Sequence, residues 1–198
     1  MSTDTEITGR GDVLLSIARA AIERELGVSA TTADESASWL AEPGACFVTL
    51  MQQGQLRGCI GSLQAHRSLL ADVKSNALSA AFRDRRFVPL TRDELDITEI
   101  EVSLLSAVQP MFVRDEADAL AQLRPHVDGV IFEYGHRRST FLPQVWEQLP
   151  QPSEFLNALK CKAGFAADFW VEGVKLSRYT VTKFCEQNNS GGDHERRN

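Results

Sequence analysis

The sequence predicts an α+β protein built as two related lobes. Three observations carry that expectation. Residues 12–26 and 68–82 repeat apolar side chains at helical spacing. Residues 98–105 alternate, with Ile100, Val102 and Leu104 facing one way and Glu99, Glu101 and Ser103 the other, as a half-buried strand does. Residues 46–63 and 129–146 share one order of features: strand, glycine turn, basic residue, return strand, helix. The likeness is one of pattern, not identity.

The elements follow in chain order. Asp12 is a candidate N-cap for the first helix, and Gly27 marks its end. Residues 29–38 are small and polar and read as a loop. Cys46 to Leu50 is apolar and β-prone, Gln52-Gln53-Gly54-Gln55 signals a turn, and an extended pattern resumes from Leu56, which together predict a hairpin. A helix over 68–82 leads into a charged loop, 83–89. After the alternating strand, residues 115–123 read as a short helix and 129–134 as an apolar strand. Helical segments are expected after Pro143 and from Ser153 to about Ala163, with Ser153 as the cap. One or two final strands fall within 171–184. The expected organisation is a flexible N-terminus over 1–9, one domain of two packed lobes over 10–186, and a disordered polar tail over 187–198.

Composition narrows the function classes. The chain has 198 residues, 21 Lys plus Arg and 27 Asp plus Glu, a formal charge of −6. An acidic balance argues against nucleic-acid binding, because phosphate recognition needs a basic surface. The 43% hydrophobic content is that of a globular protein, not of a disordered chain. No apolar run approaches the roughly 18 residues needed to span a bilayer, so no membrane association is expected. The polar, acidic start Met1-Ser2-Thr3-Asp4-Thr5-Glu6 has no signal-peptide character. The four cysteines, Cys46, Cys59, Cys161 and Cys185, contain no close pair. They are expected to be free thiols in a reducing, cytoplasmic setting.

The distinctive segment is Leu56-Arg57-Gly58-Cys59-Ile60-Gly61-Ser62. Strand parity would place Arg57 and Cys59 on one face and Leu56, Gly58 and Ile60 on the other. A guanidinium beside a thiol favours the thiolate. Glycines within a strand mark a bulge or a close backbone approach. Two readings follow. Either Cys59 is a reactive thiol held where a substrate can approach the backbone, or it is a packed small hydrophobe and the glycines serve a bulge.

This segment resembles the signature of the AMMECR1-domain family, which includes the AmmeMemoRadiSam system protein A members. Other blocks match in order. Ala77 with Ala80-Ala81-Phe82-Arg83-Asp84-Arg85-Arg86-Phe87 and then Pro89 is similar to one family block, and Ile100-Glu101-Val102-Ser103-Leu104-Leu105-Ser106 to another. Asp128-Gly129-Val130, Phe141-Leu142-Pro143-Gln144-Val145-Trp146 and Lys162-Ala163-Gly164 continue the series. Ser62 stands where many members carry Thr, which keeps the hydroxyl. The resemblance spans roughly residues 10–185. It implies two unequal lobes of mainly antiparallel sheet with flanking helices and a cleft between them. It also implies working company: members are often encoded with, or fused to, a Memo-like protein and a radical S-adenosylmethionine protein. It implies no particular reaction.

The candidate catalytic residues are Cys59, Arg57 and Glu101, the last able to pair with Arg57 or to act as a general base. The candidate substrate-binding residues are Gly58, Gly61, Asp84, Arg86 and Arg138. Each has a plainer reading. Gly58 and Gly61 could serve a bulge, Asp84 and Arg86 a solvated ion pair, Glu101 a solvent-facing carboxylate, and Arg137 with Arg138 mere solubility. His66, His126, His136 and His194 show no metal-ligand spacing, and no phosphate-binding loop, nucleophile elbow or three-cysteine cluster is present. No metal or cofactor is therefore expected. Trp39, Trp146 and Trp170 read as core or lobe-interface aromatics. Three functions stay open: an enzyme or enzyme subunit acting through Cys59 on a small or modified substrate, a non-catalytic partner module of the same system, and, last, RNA or nucleotide binding.

Overall fold

The computed structural model describes residues 3–29 and 31–186 of the chain. Helices and antiparallel strands mix as an α+β fold, in two compact units. The first runs to Leu104 and resumes at Lys183; the second is Leu105–Thr182. The predicted tail, 187–198, lies outside the described residues.

In the first unit, helix α1 (Thr3–Glu25) starts well before Asp12. Residues 3–9, expected to form a flexible arm, are therefore helical. The N-cap expected at Asp12 is instead an interior position of this helix. Gly11 has a packing reason: a Cβ there would stand 2.4 Å from the Phe184 ring. Strands β1 (Cys46–Gln52) and β2 (Gln55–Gly61) form the expected hairpin. Gln53 (φ 51°) and Gly54 (φ 75°) both turn left-handed, the type I′ geometry that suits twisted strands. Helix α2 (Leu69–Phe82) follows, capped by Ser68 Oγ, which accepts from the Ala71 N–H. Strand β3 (Thr98–Leu105) is the alternating segment.

In the second unit come β4 (Gln109–Met111), α3 (Glu116–Gln122), β5 (Gly129–Tyr134), β6 (Arg137–Phe141), α4 (Pro152–Lys162) and β7 (Lys175–Tyr179). Helix α4 starts on Pro152 at its first turn, with Gln151 rather than Ser153 at the cap position. A last strand, β8 (Val181–Cys185), returns the chain to the first unit's sheet.

Each unit has one four-stranded sheet, ordered β2-β1-β3-β8 and β4-β7-β5-β6. In the first, Cys46, Val48, Leu50, Ile100 and Val102 point to one face and are buried against Leu14, Ile17 and Ile22 of α1 and Val73 and Ala77 of α2. The alternate residues, Phe47, Thr49, Glu99 and Glu101, occupy the other face and are half-buried. In the second unit Trp146 is fully buried, stacked on Phe155 with centroids 3.8 Å apart, beside Phe132, Leu156 and Leu159. The Trp146 indole N–H donates to the Asp128 carbonyl at 2.7 Å, which satisfies its buried polar atom.

Candidate functional site

A bulge in β2 sets the geometry around Cys59. Leu50 pairs with Gly58 but Met51 pairs with Leu56, so Arg57 is the extra residue. An unbulged register would place Thr49 opposite Gly58; the bulge places it opposite Cys59. Leu56 and Cys59 then share a face with Met51 and Thr49, against the simple parity expected.

Arg57 is consequently not the companion of Cys59. Its Nε donates to Glu94 Oε1 at 2.8 Å and its Nη2 to Glu94 Oε2 at 3.2 Å. Glu94 belongs to the 3₁₀ turn Arg92–Ile97 and also accepts from the Thr91 N–H and hydroxyl and from Gln52 Nε2. Arg57 above all, then these donors, holds its carboxyl down at about 2. The expectation that Arg57 activates the thiol or pairs with Glu101 is corrected by this bulge.

The two glycines of the motif answer to packing. A Cβ on Gly58 would lie 2.3 Å from the Ala80 carbonyl oxygen, so α2 can approach β2 only over a glycine. A Cβ on Gly61 would lie 2.2 Å from the Phe47 ring, its cross-strand neighbour.

Strand β2 is a sheet edge, and the backbone of Cys59 faces outward from it. A loop after α2 satisfies both of its polar groups. The Cys59 N–H donates to Asp84 Oδ2 at 2.9 Å, and its carbonyl accepts from Arg86 Nη2 at 3.2 Å. Arg86 also donates through Nε and Nη2 to Asp84, at 2.9 and 2.6 Å. The pair thus occupies the place of a neighbouring strand at this residue. The Arg86 guanidinium, with the two backbone N–H donors, holds the Asp84 carboxyl well below the usual carboxylate range.

From the clamped strand a polar row crosses the sheet. Cys59 is half-buried, and Thr49 Oγ1 donates to its Sγ at 3.2 Å. Thr49 pairs in turn with Glu101 on β3. Glu101 is bound by Lys183 Nζ at 2.7 Å and accepts from the Cys185 thiol at 3.6 Å, both on β8. The Glu101 contact raises the Lys183 ammonium above its ordinary range. Burial first, then the nearby Glu101, pushes the Cys185 thiol up.

The structure therefore sets Cys59, Asp84, Arg86 and Glu101 of the predicted set along one row across the sheet, with Gly58 packed against α2 on the other face and Gly61 against the Phe47 ring on the same face. It turns Arg57 away. Arg138 lies in the second unit, where it pairs with Glu133 at 3.3 Å across the β5–β6 ladder. Sequence reasoning missed Thr49 and Lys183. The turn Gln53-Gly54 already brings Thr49 close to the motif; the bulge that completes the match has no sequence signal beyond Gly58. The other thiols differ from Cys59. Cys46 is fully buried on the opposite face, and burial pushes it far up. Behind it Asp72, also fully buried, accepts from the Cys46 N–H, Ser62 Oγ, Arg67 Nε and Asn76 Nδ2 at 2.7–2.9 Å. Among the described residues, no three His, Cys, Asp or Glu side chains converge as a metal site requires. No helix among them is long and apolar enough to cross a membrane.

Comparison with known proteins agrees with the motif. The AMMECR1 family model matches residues 15–184. A curated relative, Protein MJ0810 of Methanocaldococcus jannaschii, is 34% identical over 184 residues, covering 89% of this chain and 90% of its own length. A protein of Methanothermobacter thermautotrophicus is 36% identical over 184 residues, covering 89% and 94%. The crystal structure of uncharacterized protein PH0010 from Pyrococcus horikoshii superposes with a TM-score of 0.72 at 31% identity, over 89% of this chain and 91% of that one. The chain belongs to the AMMECR1 family.

Proposed function

We propose that this protein is an enzyme or enzyme subunit acting on a small or modified substrate, with Cys59 as its nucleophilic thiol. The observation that carries the reading is the placement of the sulfur. Its backbone is held from the sheet edge by Asp84 and Arg86, and a hydroxyl donates to it at 3.2 Å. A thiol fixed by a rigid strand and a directed donor is pre-organised for attack.

Covalent catalysis fits better than dithiol redox chemistry within this unit. Cys46 sits on the opposite face, and Cys185 is on β8, three strands from β2. At about 4.8 Å per strand that separation is roughly 14 Å, twice the reach of a disulfide. The working partners would be a Memo-like protein and a radical S-adenosylmethionine protein, as the family resemblance implies.

The test is a Cys59→Ser variant in cells that depend on the gene. Loss of function with the protein level unchanged supports the reading; full activity would sink it. A second reading is favoured by one specific observation: Gly58 and Gly61 are accounted for by Ala80 and Phe47, with no substrate needed. On that reading the chain is a non-catalytic partner module. Co-purification with the Memo-like and radical proteins, combined with full activity of Cys59→Ser, would select it.

A further inference from the structure

The loop after α2 carries cations that nothing in its surroundings neutralises. Residues 83–86 set Arg83, Arg85 and Arg86 against Asp84 alone. Arg86 is committed to Asp84 and to the Cys59 carbonyl. Arg83 and Arg85 are exposed, and neither forms an ion pair among the described residues. Elsewhere the exposed arginines Arg114 and Arg124 are paired, with Asp118 and Asp128. In a chain with 27 acidic and 21 basic residues, two neighbouring guanidiniums without a carboxylate stand apart from the average surface. Arg83 has one local role, as the C-cap residue of α2, where a cation meets the helix dipole. Arg85 has no such role.

The loop is firmly held and protrudes. The Phe87 N–H donates to the Asp84 carbonyl at 3.0 Å and closes a turn with Arg85 and Arg86 at its tip. The Arg86 N–H donates to Asp84 Oδ1 at 3.1 Å, and its guanidinium lies 5.4 Å from the Phe87 ring centroid. Buried Leu90 anchors the far end through its N–H to the Ala81 carbonyl at 2.8 Å. Just past the tip, Val88 is 74% exposed. A turn tip is not the concave shape of a small-molecule site. Arginines beside an exposed apolar side chain, with no lysine, match the composition of protein interfaces. A segment already fixed in place loses little entropy when a partner binds.

We propose that residues 83–88 are a docking surface for an acidic segment of a partner protein, its carboxylates on Arg83 and Arg85 and an apolar side chain on Val88. An extended peptide rises about 3.3 Å per residue, so five or six residues span the loop. Chain continuity alone therefore puts both arginines and Val88 within reach of one segment. The net charge of −6 opposes a long polyanion such as RNA, which would run on over the acidic remainder, and steers a short acidic segment to this loop. The same loop binds the Cys59 backbone through Asp84 and Arg86, so a docked partner lies beside that strand. The inference goes beyond the reading of Cys59 as a nucleophile and holds whether or not that thiol reacts.

The experiment is backbone amide NMR on the full chain, titrated with a synthetic hexapeptide of alternating glutamate and leucine. The control peptide carries glutamine in place of each glutamate. Saturable shifts are expected at residues 83–88 with the acidic peptide only, and binding is expected to weaken with added salt. Arg85→Gln is expected to weaken binding about threefold, and Arg83→Gln combined with Arg85→Gln about tenfold, the scale of exposed ion pairs. An unchanged melting temperature in Arg85→Gln separates lost docking from lost folding. Equal shifts with the glutamine peptide, shifts centred away from 83–88, unchanged binding in the double variant, or no shifts at millimolar peptide would each overturn the proposal. An oligouridylate that shifts the same residues at lower concentration than the peptide would overturn the protein partner in favour of a nucleic acid.

Discussion

The two hairpins of this protein start from one sequence pattern and end with different chemistry. In each, two strands meet at a glycine turn, Gln53-Gly54 in one and Gly135-His136 in the other, and a basic residue lies within the first three positions of the return strand. In the β5–β6 hairpin the ladder is regular. Arg138 pairs with Glu133, and Arg137 donates to the Gly164 carbonyl at 2.6 Å. The edge strand β6 is held by the end of α4: Lys162 Nζ donates to the Thr140 carbonyl, and Ser139 Oγ to the Leu159 carbonyl. In the β1–β2 hairpin the basic residue forms a bulge, and the edge is held by a charged pair aimed at a cysteine. A hairpin pattern therefore specifies the scaffold. What the following helix brings back to its edge specifies the chemistry.

The largest expected effect contrasts the two fully buried aspartates. Asp72 ties four partners from separate segments, whereas Asp128 mainly closes a local turn with Arg124, at 2.6 Å to its Nη2. Asp72→Ala strands the Cys46 N–H in the core and takes one acceptor from Asn76 Nδ2, which keeps the Cys46 carbonyl. It is expected to cost about 3–5 kcal/mol, and Asp128→Ala about 1–3 kcal/mol. Shifts in the urea midpoint measure both. Equal losses would remove the distinction between a hub and a local tie.

Next come the glycines. Gly58→Ala drives a methyl into the Ala80 carbonyl and is expected to cost about 3 kcal/mol. Gly135 has nothing within 4 Å of an added Cβ and only a positive φ of 58°, so Gly135→Ala should cost about 1 kcal/mol. Thermal melts of the two variants rank them.

The arginines separate by pH. Glu94 has a folded value of about 2, below its ordinary 4.5. A lowered carboxylate contributes stability that is fully present above pH 4.5 and is lost as pH falls toward 2. Arg57→Gln should weaken that acid dependence and lower stability at neutral pH. Arg138→Gln, which removes a half-exposed pair, should change stability by about 0.5 kcal/mol or less, with little pH dependence. Urea midpoints at pH 3 and pH 7 test both.

Much of the frame was legible from local pattern. Strands β3 and β5 occupy the predicted residues, because alternation and an apolar run are local signals. The cap at Ser68 fixes α2 in the same way. The candidate site was legible only in part. Cys59, Asp84, Arg86 and Glu101 were named, but their roles depend on contacts far apart in sequence. Glu101 meets Lys183 rather than Arg57 because β8 joins the sheet beside β3 from the far end of the chain. Arg57 was misplaced because one bulged residue reverses the parity on which its placement rested. The start of α1 was missed because Asp12 is a good cap residue by type, while the helix runs on through Gly11, which packs on the distant Phe184 ring.

The most direct test of the central claim is the iodoacetamide labelling rate of Cys59 beside that of Cys161 and Cys185, in the unmodified protein and in Thr49→Val. Both comparison cysteines are exposed, whereas Cys59 is half-buried. The account predicts that Cys59 labels fastest of the three and that Thr49→Val slows it alone. Labelling of Cys59 slower than of both exposed thiols, or unchanged by Thr49→Val, would contradict it.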